Sequence, residues 1–246
     1  MKYLILSDIH GNLEALQSVL QKVSDIEIDK YVCLGDLVGY GASPNEVVKR
    51  VKEMEPLVTV RGNHDKVASG LSDGHDFNYA ARDAALWTRR ELSSENKTYV
   101  ADLTQGPVVV DDLFVICHGS PQDEDYYIFQ WTQALPVLRR LDKQIAFFGH
   151  THTPVIWSLG GDELKGEEPP DEPDKYSLVE DRKYLINPGS VGQPRDRNPK
   201  ASFAVFDADK MKMQFFRVEY KIEAAQQKII RAGLDGFLAD RLAVGR

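Results

Sequence analysis

The chain has 246 residues, of which 42% are hydrophobic and 28% are charged, and its formal net charge is −8. This composition is typical of a soluble globular protein, and we expect a single domain over residues 1–246. The acidic balance argues against a nucleic-acid polymer as a partner, since that would need a basic face. The apolar runs have only strand length, so neither a membrane span nor a secretory signal is predicted, and we expect a cytoplasmic protein.

The first third of the chain alternates apolar runs with amphipathic segments. The run YLILSDI is typical of a strand, and NLEALQSVLQKV carries its apolar residues on one helix face, with Asn12 placed to cap the helix start. The unit recurs as KYVCLGD, PNEVVKRVKEM and PLVTVRGN, with a proline in the first turn of the second helix. Repeated βαβ units with nearly all-apolar strands predict a sheet that is covered on both faces.

The remaining elements cannot all lie in one parallel sheet. Helices are predicted over DFNYAARDAALWTRRELS and around residues 131 to 142, and PVVVDDLFVICHG predicts a hairpin that turns at Asp111 and Asp112. Further strands are predicted at QIAFFGH, VIWSLG, KYLINPG, SFAVFDAD and MQFFRVEY, and a helix at KIEAAQQKIIRAG. The acidic, Gly- and Pro-rich stretch 159–182 is expected to be an exposed loop insertion, and the terminal ADRLAVGR to be frayed or loosely docked.

Polar side chains follow the predicted strands at their carboxyl ends. They are Asp8, His10, Asp36, Asn63, His64, His118, His150 and His152. Ligands of open α/β sheets bind outside the carboxyl ends of the strands, so we expect these segments to converge. Asp, Asn and His without Cys suit Mn, Fe, Zn or Co. Even the seven of them other than His64 exceed the needs of one ion, and two ions bridged by one carboxylate would satisfy them.

The same residues form five blocks that resemble those of the calcineurin-like metallophosphoesterases, and in particular the small prokaryotic phosphodiesterase and phosphatase branch. The blocks are DIHGN, GDLVGYG, GNHD, CHG and GHTH, which follow the family's order between residues 8 and 152. The resemblance implies an α/β fold, a four-layer αββα sandwich of two mixed β-sheets with flanking helices. It also implies a metal-dependent phosphoric ester hydrolase with two divalent ions from among Mn, Fe, Zn, Co and Ni, with Mn favoured.

Carried over position by position, the resemblance assigns roles to the individual residues. It implies one ion held by Asp8, His10, Asp36 and His152, and another held by Asp36, Asn63, His118 and His150, with Asp36 as the bridge. A bridging hydroxide would attack phosphorus in line. His64 would face the substrate and either stabilise the transition state or protonate the leaving alkoxide. The expected substrate is a small phosphomonoester or phosphodiester, with a nucleotide or dinucleotide among the candidates.

The second block departs from the G-D-x-x-D-R pattern of the protein-phosphatase members. Gly39 and Tyr40 occupy the positions of the later Asp, which orients the catalytic histidine, and of the Arg, which binds phosphate. This departure weakens a phosphoprotein-phosphatase assignment and leaves His64 without an identified partner. Arg61, Arg195 and Arg197 are candidates for the missing phosphate-binding arginine.

The later stretch NPGSVGQPR resembles a loop of the same prokaryotic branch, and it makes Arg195 the favoured substrate-binding residue. Ser190 either meets a phosphate oxygen or belongs to a turn that supports the metal site. Tyr40 either stacks on a substrate group or packs. The aromatic cluster in DYYIFQWTQAL could line a base-binding pocket, but aromatic residues at that density usually serve packing, so a partly buried helix entry is expected.

An alternative function is a catalytically weak, metal-binding scaffold of the same fold that acts as a protein-interaction module. A retired site typically loses ligands or the histidine of GNHD, whereas every one of these positions is filled here. A DNA nuclease of the same superfamily would need a basic groove, which the charge balance does not offer. The ligand set therefore favours an enzyme.

Overall fold

Two six-stranded sheets carry the fold in the part of the chain that the structure, a computed structural model, describes, namely residues 1–169 and 175–246. In spatial order the first sheet consists of Leu57–Thr59 (β3), Lys30–Cys33 (β2), Lys2–Leu6 (β1), Ala201–Asp207 (β11), Lys212–Val218 (β12) and Lys175–Ser177 (β9). The second consists of Val108–Val110 (β4), Phe114–Ile116 (β5), Ile145–Phe147 (β6), Lys183–Asn187 (β10), Val155–Gly160 (β7) and Glu163–Glu167 (β8).

Both sheets are mixed, with their parallel strands next to one another. In the first sheet β1 runs parallel to β2 and antiparallel to β11, so that Tyr3 faces Lys30 on one side and Phe206 on the other. In the second sheet β6 lies between β5 and β10 and is parallel to both. The carboxyl ends of these parallel strands therefore meet at one edge of each sheet.

Eight helices cover the outer faces and the edges of the sheets in the described residues. They are Leu13–Lys22 (α1), Pro44–Lys52 (α2), Asn63–Ser69 (α3), Tyr79–Glu91 (α4), Ser94–Ala101 (α5), Trp131–Arg140 (α6), Ile222–Arg231 (α7) and Gly236–Val244 (α8). Asn12 caps α1 as predicted, since its side chain accepts a hydrogen bond from the N–H of Ala15. Where the structure describes the chain, no helix is both long and apolar enough to span a membrane.

The alternation of side chains along β1 divides the core into layers. Leu4 and Leu6 point to the face covered by α1 and α2, whereas Tyr3 and Ile5 point to the second sheet. Between the sheets the ring of Tyr3 meets the edge of Phe114 at a centroid distance of 5.0 Å. On its outer face the second sheet is covered by α6, so the layers are helix, sheet, sheet and helix. The predicted αββα sandwich is confirmed.

Two segments differ from the sequence-based expectation. The stretch 159–182 is not a plain exposed loop, because Glu163–Glu167 pairs antiparallel with β7 and Lys175–Ser177 pairs with β12, while residues 170–174 lie outside the described residues. The terminal ADRLAVGR is not frayed. It belongs to α8, whose Leu238 and Leu242 are buried against α7 and Tyr40. The four-residue spacing of these two leucines is typical of one helix face, although the apolar pattern around them is short.

Candidate metal centre

The loops that follow five of the parallel strands bring polar side chains to one place. Asp8 and His10 follow β1, Asp36 follows β2, and the pair Asn63 and His64 follows β3. In the second sheet His118 follows β5, and His150 and His152 follow β6. All of these side chains are buried except Asn63, which is half-buried. The loops after the parallel strands of both sheets thus bring together the residues that the sequence predicted to converge.

Four of these residues form a first group whose ligand atoms lie within 4.8 Å of one another, namely Asp8, His10, Asp36 and His152. Nε2 of His10 lies 3.5 Å from Oδ2 of Asp36 and 3.1 Å from Nε2 of His152. The same nitrogen of His152 is 3.4 Å from Oδ1 of Asp8.

A second group shares Asp36 with the first and adds His118 and His150. Nε2 of His118 is 3.4 Å from Oδ2 of Asp36 and 3.2 Å from Oδ1 of Asn63. Asp36 is therefore the one carboxylate common to both groups among the described residues. The structure brings all seven predicted ligands together in the two sets that the family resemblance implied, and their role as ligands stays a prediction.

Backbone carbonyls fix which nitrogen of each imidazole faces the cluster. Nδ1 of His10 bonds the carbonyl oxygen of Val38 at 3.2 Å, and Nδ1 of His152 bonds that of Gln193 at 2.7 Å. A carbonyl oxygen only accepts, so each Nδ1 carries the hydrogen and each Nε2 presents a lone pair. In His150 the two ring nitrogens exchange these roles, because Nε2 bonds the carbonyl oxygen of Asp125 at 3.1 Å.

Two imidazole lone pairs of the cluster, on Nε2 of His10 and of His152, consequently lack a hydrogen-bond donor. The lone pairs of His10 and His152 face each other across 3.1 Å, and carboxylate oxygens surround them. Burial lowers the pKa of both imidazoles well below the usual value, so a proton does not fill the gap at neutral pH. A divalent cation would, and carboxylate, imidazole and amide donors suit a borderline transition metal. The residues present therefore fit a metal centre.

Burial and neighbouring charges also shift the pKa values of Asp8, Asp36 and His118. Burial raises the pKa of Asp8 to about 6. Burial opposes ionisation of Asp36 too, but the charge of His118 and its hydrogen bond hold the pKa of Asp36 well below the usual value. Burial would by itself lower the pKa of His118, but the adjacent Asp36 carboxylate raises it to about 10. In the metal-free protein, His118 and Asp36 thus form a buried ion pair.

The backbone is held in an unusual conformation at these positions. Five of the predicted ligands have positive φ angles, namely Asp8 (53°), His10 (49°), Asp36 (53°), His150 (66°) and His152 (59°). Left-handed backbone is uncommon for residues other than glycine, and it clusters at functional sites, where the surrounding structure holds it in place. The concentration of five such residues in one cluster is an independent sign that the cluster has a function.

His64 lies beside the cluster but is not held by a carboxylate. Its ring packs against Tyr40 and Phe77, at centroid distances of 4.3 and 4.6 Å, and its Nδ1 is buried without a hydrogen-bond partner. The neighbouring Asp65 instead accepts hydrogen bonds from the N–H groups of Gly62 and Val38. Gly39, at the position of the family's orienting Asp, touches the His64 ring directly: a Cβ there would lie 2.5 Å from Nδ1. The partner that the sequence left unidentified is absent among the described residues.

The predicted substrate-binding residues divide into two groups. Arg195 and Tyr40 adjoin the cluster, since the Arg195 guanidinium lies 5.6 Å from the centre of the Tyr40 ring, which in turn contacts His10. Arg61 is instead held by two hydrogen bonds of 3.1 Å to the carboxylate of Glu124. Ser190 is fully buried, and its hydroxyl donates to the carbonyl oxygen of Asp8. Of the two readings of Ser190, the structure therefore supports the turn that braces the site.

Two features of the site were missed by sequence reasoning. Tyr127 stacks on His150 at 3.7 Å and on Phe129 at 5.3 Å, and Phe129 is 60% exposed. The aromatic density of the segment is the sequence signal for this group, although a partly buried helix entry is expected from it before a base-binding wall. Arg241 of α8 reaches the Tyr40 ring from the far end of the chain. No local sequence signal connects these two residues.

A cleft of about 170 Å³ opens beside the second group of residues. It is lined by the predicted ligands Asn63 and His150 and by the aromatic rings of Phe77 and Tyr127. The volume suits a small planar group placed next to the cluster.

Comparison with known proteins gives matches over nearly the whole chain. A family model described as the calcineurin-like phosphoesterase superfamily domain matches residues 1–211. The uncharacterized protein MJ0912 of Methanocaldococcus jannaschii is 38% identical over 247 residues, which cover 98% of this chain and 97% of that protein. The phosphodiesterase YfcE of Escherichia coli K12 is 27% identical over 218 residues, covering 85% of this chain and 89% of that protein. The crystal structure of a metallophosphoesterase from Sphaerobacter thermophilus has a TM-score of 0.88 at 37% identity, covering 100% of this chain and 99% of that chain.

The contact between Gly39 and His64 predicts the effect of a single methyl group. In Gly39→Ala the new Cβ would clash with the His64 ring, so we expect phosphoester turnover to fall by about 100-fold or more while metal content is retained. Turnover of a chromogenic phosphoester and metal content by mass spectrometry check this. Gly70→Ala is the matched control, because Gly70 has a similar φ of +96° but open space around its Cβ position. An active Gly39→Ala enzyme would show that the ring position is not critical.

Proposed function

We propose that this chain, which belongs to the calcineurin-like phosphoesterase superfamily and is a metal-dependent phosphoric ester hydrolase, uses two divalent ions to hydrolyse a small phosphorylated molecule. The single observation that carries the proposal is the buried set of lone pairs around Asp36, in which two groups of ligand atoms share that carboxylate. Two ions that share Asp36 would account for both groups. We propose Asp8, His10, Asp36, Asn63, His118, His150 and His152 as the ligands, and manganese as the favoured ion.

Two bound ions would supply an activated water and would neutralise the charge that develops on the phosphoryl oxygens. The chain's own residues then orient the substrate. We propose that Arg195 binds phosphoryl oxygens, and its buried Nε without a partner beside the cluster supports this role. Asp36 accepts a hydrogen bond of 2.8 Å from the N–H of His64, which ties the proposed bridging carboxylate to the start of α3.

His64 acts in this proposal as a neutral hydrogen-bond donor. Burial lowers its pKa to about 4, so very little imidazolium exists at neutral pH. A general acid would need that proton, whereas a neutral imidazole can still donate one N–H to a phosphoryl oxygen and stabilise the transition state. We therefore propose that His64 stabilises the transition state, and that protonation of the leaving alkoxide is only a minor role.

A nucleotide or dinucleotide is the proposed substrate class. The cleft beside Asn63 and His150 has aromatic walls, and the stacked rings of Tyr127 and Phe129 extend from His150 towards solvent. Aromatic platforms of this kind bind bases without strong sequence preference. Retention of all seven proposed ligands and of His64 also argues against the alternative of an inactive scaffold.

Metal add-back tests the reaction class. Metal-stripped protein should hydrolyse p-nitrophenyl phosphate or bis-p-nitrophenyl phosphate only after Mn, Co, Ni, Zn or Fe is added, and the preferred ester identifies a monoesterase or a diesterase.

We expect His64→Ala to keep its metal content and to lose turnover by about 100-fold or more, as for loss of one transition-state donor. Asp36→Ala should lose metal as well. Full activity in either variant would contradict the assignment.

The ion pair between His118 and Asp36 predicts a pH dependence of metal binding. Because the pKa of His118 is raised to about 10 in the metal-free protein, the imidazole holds a proton at neutral pH and must release it before it can bind an ion. Metal affinity should therefore rise with pH, by about tenfold per pH unit between about pH 7 and about pH 8.5. Calorimetry in two buffers of different ionisation enthalpy should detect about one proton released. A flat affinity profile would contradict a protonated His118 in the metal-free protein.

The aromatic platform predicts a selective loss of nucleotide binding. Phe129→Ala should weaken binding of adenosine monophosphate by about tenfold, because base stacking on an aromatic ring contributes about 1–3 kcal/mol. Binding of inorganic phosphate should stay within about twofold of the parent value, since the phosphate-binding residues are intact. Trp131→Ala, which removes a similarly exposed ring at the start of α6, serves as the control. Equal losses for both ligands would point to a general structural effect.

A further inference from the structure

Four charged side chains join the two loops that carry the second group of proposed ligands. Arg61 and Lys66 lie on either side of Asn63, the first before α3 and the second within it. Glu124 and Asp125 lie in the loop between β5 and α6. Because β3 belongs to the first sheet and β5 to the second, the four side chains connect the two sheets at the site. We call these four side chains the bridging network.

Lys66 lies at the centre of the bridging network. Its Nζ donates to Oε1 of Glu124 at 3.0 Å and to Oδ1 and Oδ2 of Asp125 at 2.8 and 2.6 Å. Arg61 binds the same Glu124 carboxylate with two hydrogen bonds of 3.1 Å. The side chains of Lys66 and Glu124 are only 14% and 13% exposed, so solvent screens their attraction less than it would screen a surface pair. The network thus holds the segment around Glu124 and Asp125 against α3.

The backbone of the same segment orients His150. The carbonyl oxygen of Asp125 accepts a hydrogen bond of 3.1 Å from Nε2 of His150, which leaves the lone pair of Nδ1 for an ion. Tyr127, two residues further on, stacks on the His150 ring at 3.7 Å. The N–H of Gly119 donates to the carbonyl oxygen of Glu124 at 3.0 Å, which closes the loop on itself. A shift of the Asp125 backbone would therefore turn the His150 imidazole.

The imidazoles of the first group are held by other parts of the chain. Nδ1 of His10 bonds the carbonyl oxygen of Val38, and Nδ1 of His152 bonds that of Gln193. Neither carbonyl belongs to the loop between β5 and α6. A change in the bridging network should thus act on the second group and spare the first.

We propose that Lys66 is a positioning residue for the ion of the second group. By binding the carboxylates of Glu124 and Asp125, it fixes the carbonyl oxygen that sets the tautomer and the direction of the His150 ring relative to Asn63. Replacement of a residue that holds a metal ligand in place typically changes metal affinity by about 10–100-fold. This inference rests on the proposed function for the presence of two ions, but it requires no turnover.

The sign of the effect separates positioning from simple electrostatics. A positive charge near a bound cation repels it, so removal of the Lys66 charge should by itself tighten metal binding. Positioning predicts weaker binding instead, because the His150 ring loses its fixed direction. Lys66→Met removes the charge and keeps most of the length of the side chain, so the two explanations predict opposite outcomes for this variant.

Manganese binding is measured by calorimetry in two backgrounds of the full chain, each of which disables one group. In His10→Ala, which leaves the second group intact, Lys66→Met should weaken manganese binding by about tenfold or more, and Lys66→Arg should retain most of the affinity because it keeps the charge. In His150→Ala, which cuts the path from Lys66, Lys66→Met should change the affinity by less than about twofold. Lys52→Met, which removes a lysine that pairs with Glu95 on another pair of helices, is the control and should change neither background.

Nuclear magnetic resonance of the metal-free chain gives a readout that needs no ion. Burial lowers the pKa of His150 well below the usual value, so the ring is neutral at neutral pH and one of its nitrogens carries a hydrogen. The ring nitrogen shifts should show hydrogen on Nε2 alone in the parent and a mixture of tautomers in Lys66→Met. Arg61→Gln, which loosens only Glu124, should shift both readouts in the same direction and supplies the test where Lys66→Met fails to fold.

Two results would overturn the proposal. One is a folded Lys66→Met variant that binds manganese in the His10→Ala background as tightly as before, or more tightly. The other is a His150 ring that keeps its single tautomer when Lys66 is replaced. Failure of the proposed function gives a different pattern, in which no metal restores hydrolysis of either nitrophenyl ester while the tautomer of His150 still depends on Lys66.

Discussion

The rest of the structure depends on one constraint, the burial of two imidazole lone pairs, on His10 and His152, that have no hydrogen-bond donor of their own. In the proposed centre the Nε2 lone pairs of His10 and His152 face each other across 3.1 Å, and carboxylate oxygens of Asp8 and Asp36 surround them. Such an arrangement is costly without a cation, because buried polar groups need partners. The fold must therefore hold these atoms in place against their mutual repulsion.

The first sheet provides this rigidity by joining its loops to one another. The N–H of Asp8 donates to the carbonyl oxygen of Gly35 at 3.1 Å, and the N–H of His10 donates to that of Asp36 at 2.9 Å. On the other side, the loop after β10 is tied to the same segment through the Ser190 hydroxyl and the carbonyl oxygen of Asp8. These bonds continue the strand pairing beyond the ends of the strands, and they hold the ligands in left-handed backbone that would otherwise relax.

The sequence predicted the central part of this arrangement well, because that part is encoded locally. Each proposed ligand directly follows a short apolar strand, so the parallel sheets place it without further information. The fates of Arg61 and Ser190 could not be predicted in the same way, since they depend on partners far along the chain, Glu124 and Asp8. The helix α8 was missed for a related reason: its two buried leucines mean little until α7 and Tyr40 supply the surface they pack against.

Gly39 stands where the protein-phosphatase pattern has a carboxylate, and the surroundings of His64 are aromatic instead. A carboxylate at Nδ1 would orient the imidazole and raise its basicity, but a glycine does neither, so shape has to hold the ring. Tyr40 and Phe77 pack on that ring, and Gly39 leaves no room for it to move towards the loop. The same Tyr40 ring carries Arg195 and Arg241. One side chain therefore contacts both the proposed transition-state donor and the two guanidinium groups.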